Sequence, residues 1–283
     1  MNSAILLISC PDQRGITAQV SNFIYKNNGN IEHADQHIDS QTNTFFMRIE
    51  WSLQGFHIPK NKIASEFSRL ASKFSMKYQL SFSSDIARAA IFVSQHTHCL
   101  YDLILRQGEG QLRCVFPLII SNHPDAKKIA DNFAIKFSQF KTARENKQET
   151  EKKIISLLKK ERIDLIILAR YQQILSKDFV DTFTNRVINI HHSFLPAFAG
   201  ENPYGQAYRR GVKIIGATSH YVTEELDAGP IIEQDTVRIS HRDSIDDLKM
   251  KGCDLEKIVL GRAVRLHLDR KILVYNNKTV IFD

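Results

Sequence analysis

Leu165-Ile166-Ile167-Leu168-Ala169 is an unbroken apolar run, and Arg170-Tyr171 follows it at once. A strand with one face in water alternates apolar and polar residues, whereas a strand covered on both faces reads as continuous apolar sequence. Ala89 to Val93, Val115 to Ile120 and Val187 to Ile190 are runs of the same kind, separated by helical stretches around Leu100 to Leu105, Ala126 to Phe133 and Lys152 to Lys160. Parallel strands need crossover connections, usually helical, so residues 85–283 are expected to form a doubly wound α/β domain with a mainly parallel sheet. Ile214 to Val222 and Ile231 to Ile239 read as further strands, and Ser244 to Leu268 as a long helix. Tyr275-Asn276-Asn277-Lys278 reads as a terminal hairpin turn, because Asn tolerates positive φ.

Upstream, residues 1–84 follow a different rhythm. Ile5 to Ile8 is a short apolar strand, Pro11-Asp12-Gln13-Arg14-Gly15 a turn, and Ile16, Val20, Phe23 and Ile24 lie at helical spacing up to Asn28-Gly29. Phe45, Met47, Ile49, Trp51 and Leu53 then alternate with Phe46, Arg48, Glu50 and Ser52, the period of a sheet covered on one face. Ile63, Phe67, Leu70 and Phe74 trace a second helix, and Met76, Tyr78, Leu80 and Phe82 a closing strand. The expected order is βαββαβ, the ferredoxin-like arrangement. With Cys10-Pro11-Asp12-Gln13-Arg14-Gly15-Ile16 at the first strand-to-helix turn, it resembles an ACT domain, which implies a regulatory module. Gly15 also has a plain structural reason, since a tight turn often needs a conformation that only Gly adopts cheaply.

Composition bounds the function. Of 283 residues 43% are apolar and 24% charged, ordinary globular usage that excludes dominant disorder. No apolar run approaches the roughly 20 residues of a membrane span. Met1 to Ile8 has no basic segment before its apolar residues and reads as a first strand rather than a secretory signal. Cys10, Cys99, Cys114 and Cys253 are scattered without C-x-x-C spacing, so neither disulfides nor a structural zinc site is expected, and a cytoplasmic setting fits. The net charge of +7 suits an anionic ligand. The basic cluster Lys147 to Arg162 is interleaved with glutamates and reads as a solvated helix face, so no specific nucleic acid is expected.

In open α/β sheets, ligands bind beyond the carboxyl ends of the strands. Val187-Ile188-Asn189-Ile190-His191-His192-Ser193 puts Asn189 and His191 at alternate positions of such an end, facing the same way, an amide and an imidazole able to grip a carbonyl oxygen as it becomes an oxyanion. Glu225-Leu226-Asp227-Ala228-Gly229-Pro230 places a carboxylate in a turn between two strands. Singly, each has a bland reading, Asp227 as a turn residue bonded to its own backbone and His191 as a structural histidine. Val93-Ser94-Gln95-His96-Thr97-His98-Cys99-Leu100 contains no glycine, so a phosphate cradle at that turn is not expected, and His96 and His98 read as polar lining rather than a metal pair.

Taken together, Asn189, His191, Ser193, Leu195 and Pro196, followed by Asp227, Gly229 and Ile231, resemble the formyltransferase family that uses 10-formyltetrahydrofolate. Ala169-Arg170-Tyr171, Ile174-Leu175-Ser176, Asn202-Pro203-Tyr204, Gln206-Ala207-Tyr208 and His241-Arg242-Asp243-Ser244 extend the resemblance, while Gln172, Glu201 and Gly205 depart from the family pattern. The resemblance implies catalysis by Asn189, His191 and Asp227, and contact of the folate with Leu168, Gln172, Ile174, Leu175 and His220. It implies a positively charged rim for the folate's anionic tail, with His220 either supporting Asp227 or purely structural. With no phosphate loop, water becomes the natural formyl acceptor, and transfer to an amine is the alternative. The implied role is hydrolysis that balances the one-carbon folate pool and supplies formate for purine biosynthesis. Folate is then the substrate, with no other cofactor and no metal, an amino-acid effector such as glycine or methionine at the ACT-like domain, and a homodimer or homotetramer.

Overall fold

The computed structural model describes residues 2–141, 145–197 and 203–283. Contacts divide the chain into Met1–Ile86 with Asp269–Tyr275 and Val280–Asp283, and Ala87–Leu268 with Asn276–Thr279. The sequence division at 84/85 lies two residues away and omits the return of the last segments to the smaller unit.

The smaller unit runs β1 (Ser3–Pro11), α1 (Ile16–Lys26), β2 (Ile31–Asp39), β3 (Thr44–Ser52), α2 (Ile63–Lys73) and β4 (Lys77–Phe82). Its antiparallel sheet has the order β2-β3-β1-β4. Gly15 caps α1 at φ 91°, in the left-handed region that favours glycine. Ile16, Val20 and Ile24 of α1 and Ile63, Phe67 and Ala71 of α2 bury against Leu6, Ile8, Met47, Ile49 and Trp51.

The alternation in β3 predicts one covered face, and here the structure corrects the reading. Phe46 is 0% exposed and Leu7 5%, because Leu273, Tyr275, Val280 and Phe282 of the terminal hairpin pack on them. Tyr275 lies 4.4 Å from Phe46 between ring centroids. Arg48, on that same alternating set, pairs with Glu50 at 2.8 Å and donates from Nε to the carbonyl of Arg270 at 3.1 Å. A polar pair and the last residues of the chain thus cover what the pattern assigns to water.

The larger unit runs β5 (Ala87–Val93), α3 (His98–Gly108), β6 (Cys114–Ser121), α4 (Lys127–Asn132), β7 (Lys136–Gln139), α5 (Lys147–Lys160), β8 (Leu165–Leu168), α6 (Lys177–Thr182), β9 (Val187–His191), α7 (Pro203–Arg210), β10 (Ile214–Tyr221), β11 (Ile231–Arg238) and α8 (Ile245–Leu268). Its sheet has the order β11-β10-β9-β8-β5-β6-β7, parallel from β9 to β7 with β10 and β11 antiparallel. Ala90, Phe92, Leu118, Ile120, Ile166 and Leu168 pack on Ile154 and Leu158 of α5 and Phe179 and Val180 of α6. Ala89, Ile91, Val93, Leu165 and Ile167 point the other way and are equally buried, so both faces are covered. The chain reverses its winding between β5 and β8, the crevice where such sheets bind ligands. Helix α5 is less solvated than its charge pattern predicts, since Glu151 is 6% exposed and accepts from the Ser176 amide at 3.1 Å. Among the described residues, no helix is long and apolar enough to cross a membrane.

Phe46→Ala tests the second covered face. Removing a fully buried ring costs about 3–5 kcal/mol. A clear drop in the urea midpoint of the smaller unit is expected; a loss below about 1 kcal/mol would contradict close packing there.

Candidate functional site

Strand register assembles the site. Leu168 pairs with Asn189 across β8 and β9, and Asn189 pairs with His220 across β9 and β10, so three neighbouring strands contribute one row. His191, two residues after Asn189, faces the same side. These residues line a cleft of about 580 Å³ together with Arg170, Gln172, Ile174, Leu175, His192 and the 222–227 segment. All eight residues that the sequence proposes for catalysis or folate contact therefore share one cavity. Glu201 and Asn202 lie outside the described residues.

Asp227 reaches the row from the loop between β10 and β11. Its Oδ2 lies 3.2 Å from His191 Nδ1 and its Oδ1 3.6 Å from His220 Nε2. Burial pushes the carboxyl up, but hydrogen bonds from the two imidazoles, and then their charges, outweigh it and hold Asp227 well below the ordinary carboxylate range. His220 Nδ1 lies 2.9 Å from the Tyr221 carbonyl, which can only accept, so that nitrogen carries a proton. Its Nε2, which faces Asp227, also lies 3.2 Å from the Asn189 amide nitrogen. His191 has its Nδ1 on the carboxylate and a buried Nε2 with no partner among the described residues, free for a reacting group. The site is an ionised carboxylate between two imidazoles, with an amide beside them.

Where the sequence suggests a positively charged rim, Arg170 is the one Lys or Arg in the cleft lining among the described residues. Glu224 and Glu225 stand beside it, with Glu224 tied to Lys177 at 2.7 Å.

A second cluster went unread in the sequence. Glu256, 1% exposed on α8, accepts from His98 Nε2 at 2.9 Å and from the Tyr204 hydroxyl at 2.7 Å, with Arg170 Nε at 3.6 Å. The signal was present, since Glu256 shares the buried face of α8 with Leu248, Leu255 and Val259, where a carboxylate demands partners. His98, Cys99 and Glu256 bring donor atoms within 4.8 Å of one another, close enough to hold a metal ion. Both Glu256 oxygens are already occupied. Burial alone would lower the His98 pKa, but hydrogen bonds to Cys253, Cys99 and Glu256 raise it to about 12. This cluster stands at the start of α3, beside the glycine-free turn. The anionic group there is the chain's own Glu256, paired with His98.

Comparisons with known proteins agree with this arrangement. The ACT domain model matches residues 4–70 and the Formyl transferase model residues 87–264. The formyltetrahydrofolate deformylase of Synechocystis sp. is 56% identical, covering 99% of this chain and 98% of that protein. The chain belongs to the formyltetrahydrofolate deformylase family. A second deformylase, from Bacillus subtilis, is 47% identical over 98% of this chain and 93% of its own length. The crystal structure of a deformylase from Pseudomonas syringae pv. tomato superposes with a TM-score of 0.98 at 43% identity, covering 100% of this chain and 95% of that one.

His192 gives this deformylase site a pH signature. Burial, followed by the charge of Arg170, lowers its pKa from 6.5 to about 4. The folded value lies below the unfolded one, so stability present above pH 6.5 is lost as pH falls toward about 4. His192→Gln should flatten that part of the stability curve, by at most ~1.4 kcal/mol per pH unit, in urea titrations between about pH 4 and 7. An unchanged slope would show that His192 is not the group titrating there.

Proposed function

We propose that the chain hydrolyses 10-formyltetrahydrofolate to tetrahydrofolate and formate. The observation that carries this reading is Asp227, ionised and held between His191 and His220 beside Asn189 in a folate-sized cleft. The names of its relatives support the same substrate.

The chemistry balances with these groups and one water. Asp227 orients the water and draws on its proton as the oxygen bonds to the formyl carbon. The carbonyl electron pair moves to oxygen, where the Asn189 amide and protonated His191 receive the developing charge. Collapse breaks the bond from carbon to N10 as a proton passes from His191 to N10; the proton drawn from the water returns from Asp227 to His191, and formic acid leaves with the water's oxygen, ionising to formate and one proton released to solvent. A carboxyl held this low is a weak base, so Asp227 contributes chiefly by orientation and by setting its negative charge against His191 Nδ1. His220, linked to Asn189 and facing Asp227, keeps both aligned. Leu168, Gln172, Ile174 and Leu175 supply the wall for the pterin. Transfer to a phosphorylated amine is disfavoured, because the β5–α3 turn has no glycine to cradle a phosphate.

The ACT match further supports a small amino acid, glycine or methionine, as effector, in a homodimer or homotetramer. Four free cysteines, three of them buried, support a cytoplasmic setting.

Asp227→Asn keeps the shape and removes the charge. Formate release should fall by roughly two to four orders of magnitude while melting temperature and folate binding stay near parental. A variant that still releases formate at near-parental rate would sink the mechanism. Separately, calorimetric titration with glycine and methionine should give heat and a change in deformylation rate for at least one of them; silence in both would remove the effector role.

A further inference from the structure

Asp227 is held in an uncommon backbone state. Its φ is 55°, in the left-handed region that non-glycine residues seldom adopt, so the neighbouring structure helps to hold it. The loop supplies little of that restraint itself. Its own turn bond, from the Ala228 amide to the Glu225 carbonyl, is long at 3.4 Å. The Tyr221 amide reaches the Pro230 carbonyl at 2.9 Å, and at Gly229 an added Cβ would lie 1.8 Å from the Tyr221 carbonyl oxygen. These contacts fix the descending side of the loop and leave the Asp227–Ala228 side open.

Two side chains from a distant part of the sequence close it. Asn277 Nδ2 donates to the Ala228 carbonyl at 2.8 Å, and Thr279 Oγ1 donates to the Ile231 carbonyl at 2.6 Å. Both belong to residues 276–279, which group with the larger unit. The bonds bracket Gly229 and Pro230, and the first grips the peptide next to the catalytic carboxylate. Asn276 and Asn277 have φ of 41° and 58°, so the turn itself needs residues that tolerate the left-handed region. That explains two asparagines but not the aim of the Asn277 amide, which spends its donor on the Asp227 loop.

We propose that Asn277 and Thr279 are positioning residues for deformylation, holding the 227–231 turn so that the Asp227 carboxylate stays on His191 and His220. They touch no reacting atom and act through Asp227. This inference rests on the role given to Asp227 above. Neither residue lines the cleft, so substrate affinity is not their task.

The test separates turn geometry from hydrogen bonding. Asn277→Gly keeps the positive φ at no steric cost and removes the donor. Thr279→Val removes the hydroxyl at constant shape, and Thr279→Ser restores it. With 10-formyltetrahydrofolate as substrate, Asn277→Gly and Thr279→Val should each lower kcat about 10-fold or more, with KM within about twofold, since small misplacements of a catalytic group are costly. Thr279→Ser should recover most of the rate. In an Asp227→Asn background, Asn277→Gly should cause no further loss, because the group it positions is already disabled. Near-parental kcat in both single variants, a change confined to KM, or an equal loss with and without Asp227 would overturn the proposal. A silent Asn277→Gly beside an inactive Asp227→Asn would sink the positioning role alone, whereas an active Asp227→Asn would sink the mechanism beneath it. Should Asn277→Gly fold poorly, the Val and Ser variants at Thr279 decide the question by the same comparison.

Discussion

Strand register is the constraint on which the site depends. Leu168, Asn189 and His220 meet because β8, β9 and β10 align those three positions. A slip of one residue in β10 would turn His220 to the opposite face and offer Ser219 in its place. The buried apolar faces on both sides forbid such a slip, since it would carry a polar set into the core. The geometry of the cleft is therefore specified by buried apolar residues such as Ile188, Ile190 and Ala217.

The larger unit holds two buried electrostatic systems with opposite logic. Around Asp227 the carboxylate is satisfied by imidazoles that a substrate can still reach, leaving His191 Nε2 without a partner. Around Glu256 every oxygen is taken by the protein, which closes that end of the sheet. Arg170 and His192 stand between them, lining the cleft on one side while feeling the charge of Glu256 on the other. One system is built to react and the other to stay as it is.

Much of this was legible in the sequence because burial leaves a period behind. The four apolar runs identify the parallel strands, and the alternation of Asn189 and His191 predicts a shared face. The motif around Asp227 has no such period, and only its company with Asn189 and His191 distinguishes it from an ordinary turn aspartate. Long-range partners are where reading along the chain stops. Phe46 lies on the polar register of β3, and nothing near it announces that Val280 and Phe282 will cover it. Glu256 was visible as an anomaly on an apolar helix face, yet its partners His98 and Tyr204 are 158 and 52 residues away. Short elements with little apolar content, such as β7 and α7, also escaped, since four to eight residues hold too few turns or alternations to show a period.

The grip of Asn277 and Thr279 on the 227–231 turn gives the order of synthesis a meaning. A nascent chain still short of Asn276 already contains Asn189, His191 and Asp227, and its parallel sheet can form as those strands leave the ribosome. It has neither donor for the Ala228 and Ile231 carbonyls. On the positioning role proposed above, the carboxylate settles into place only once residues 276–279 emerge and supply those two donors. On the same proposal, a cut before Asn276 would return the chain to that immature state, acting on the cleft from a peptide bond about fifty residues from Asp227.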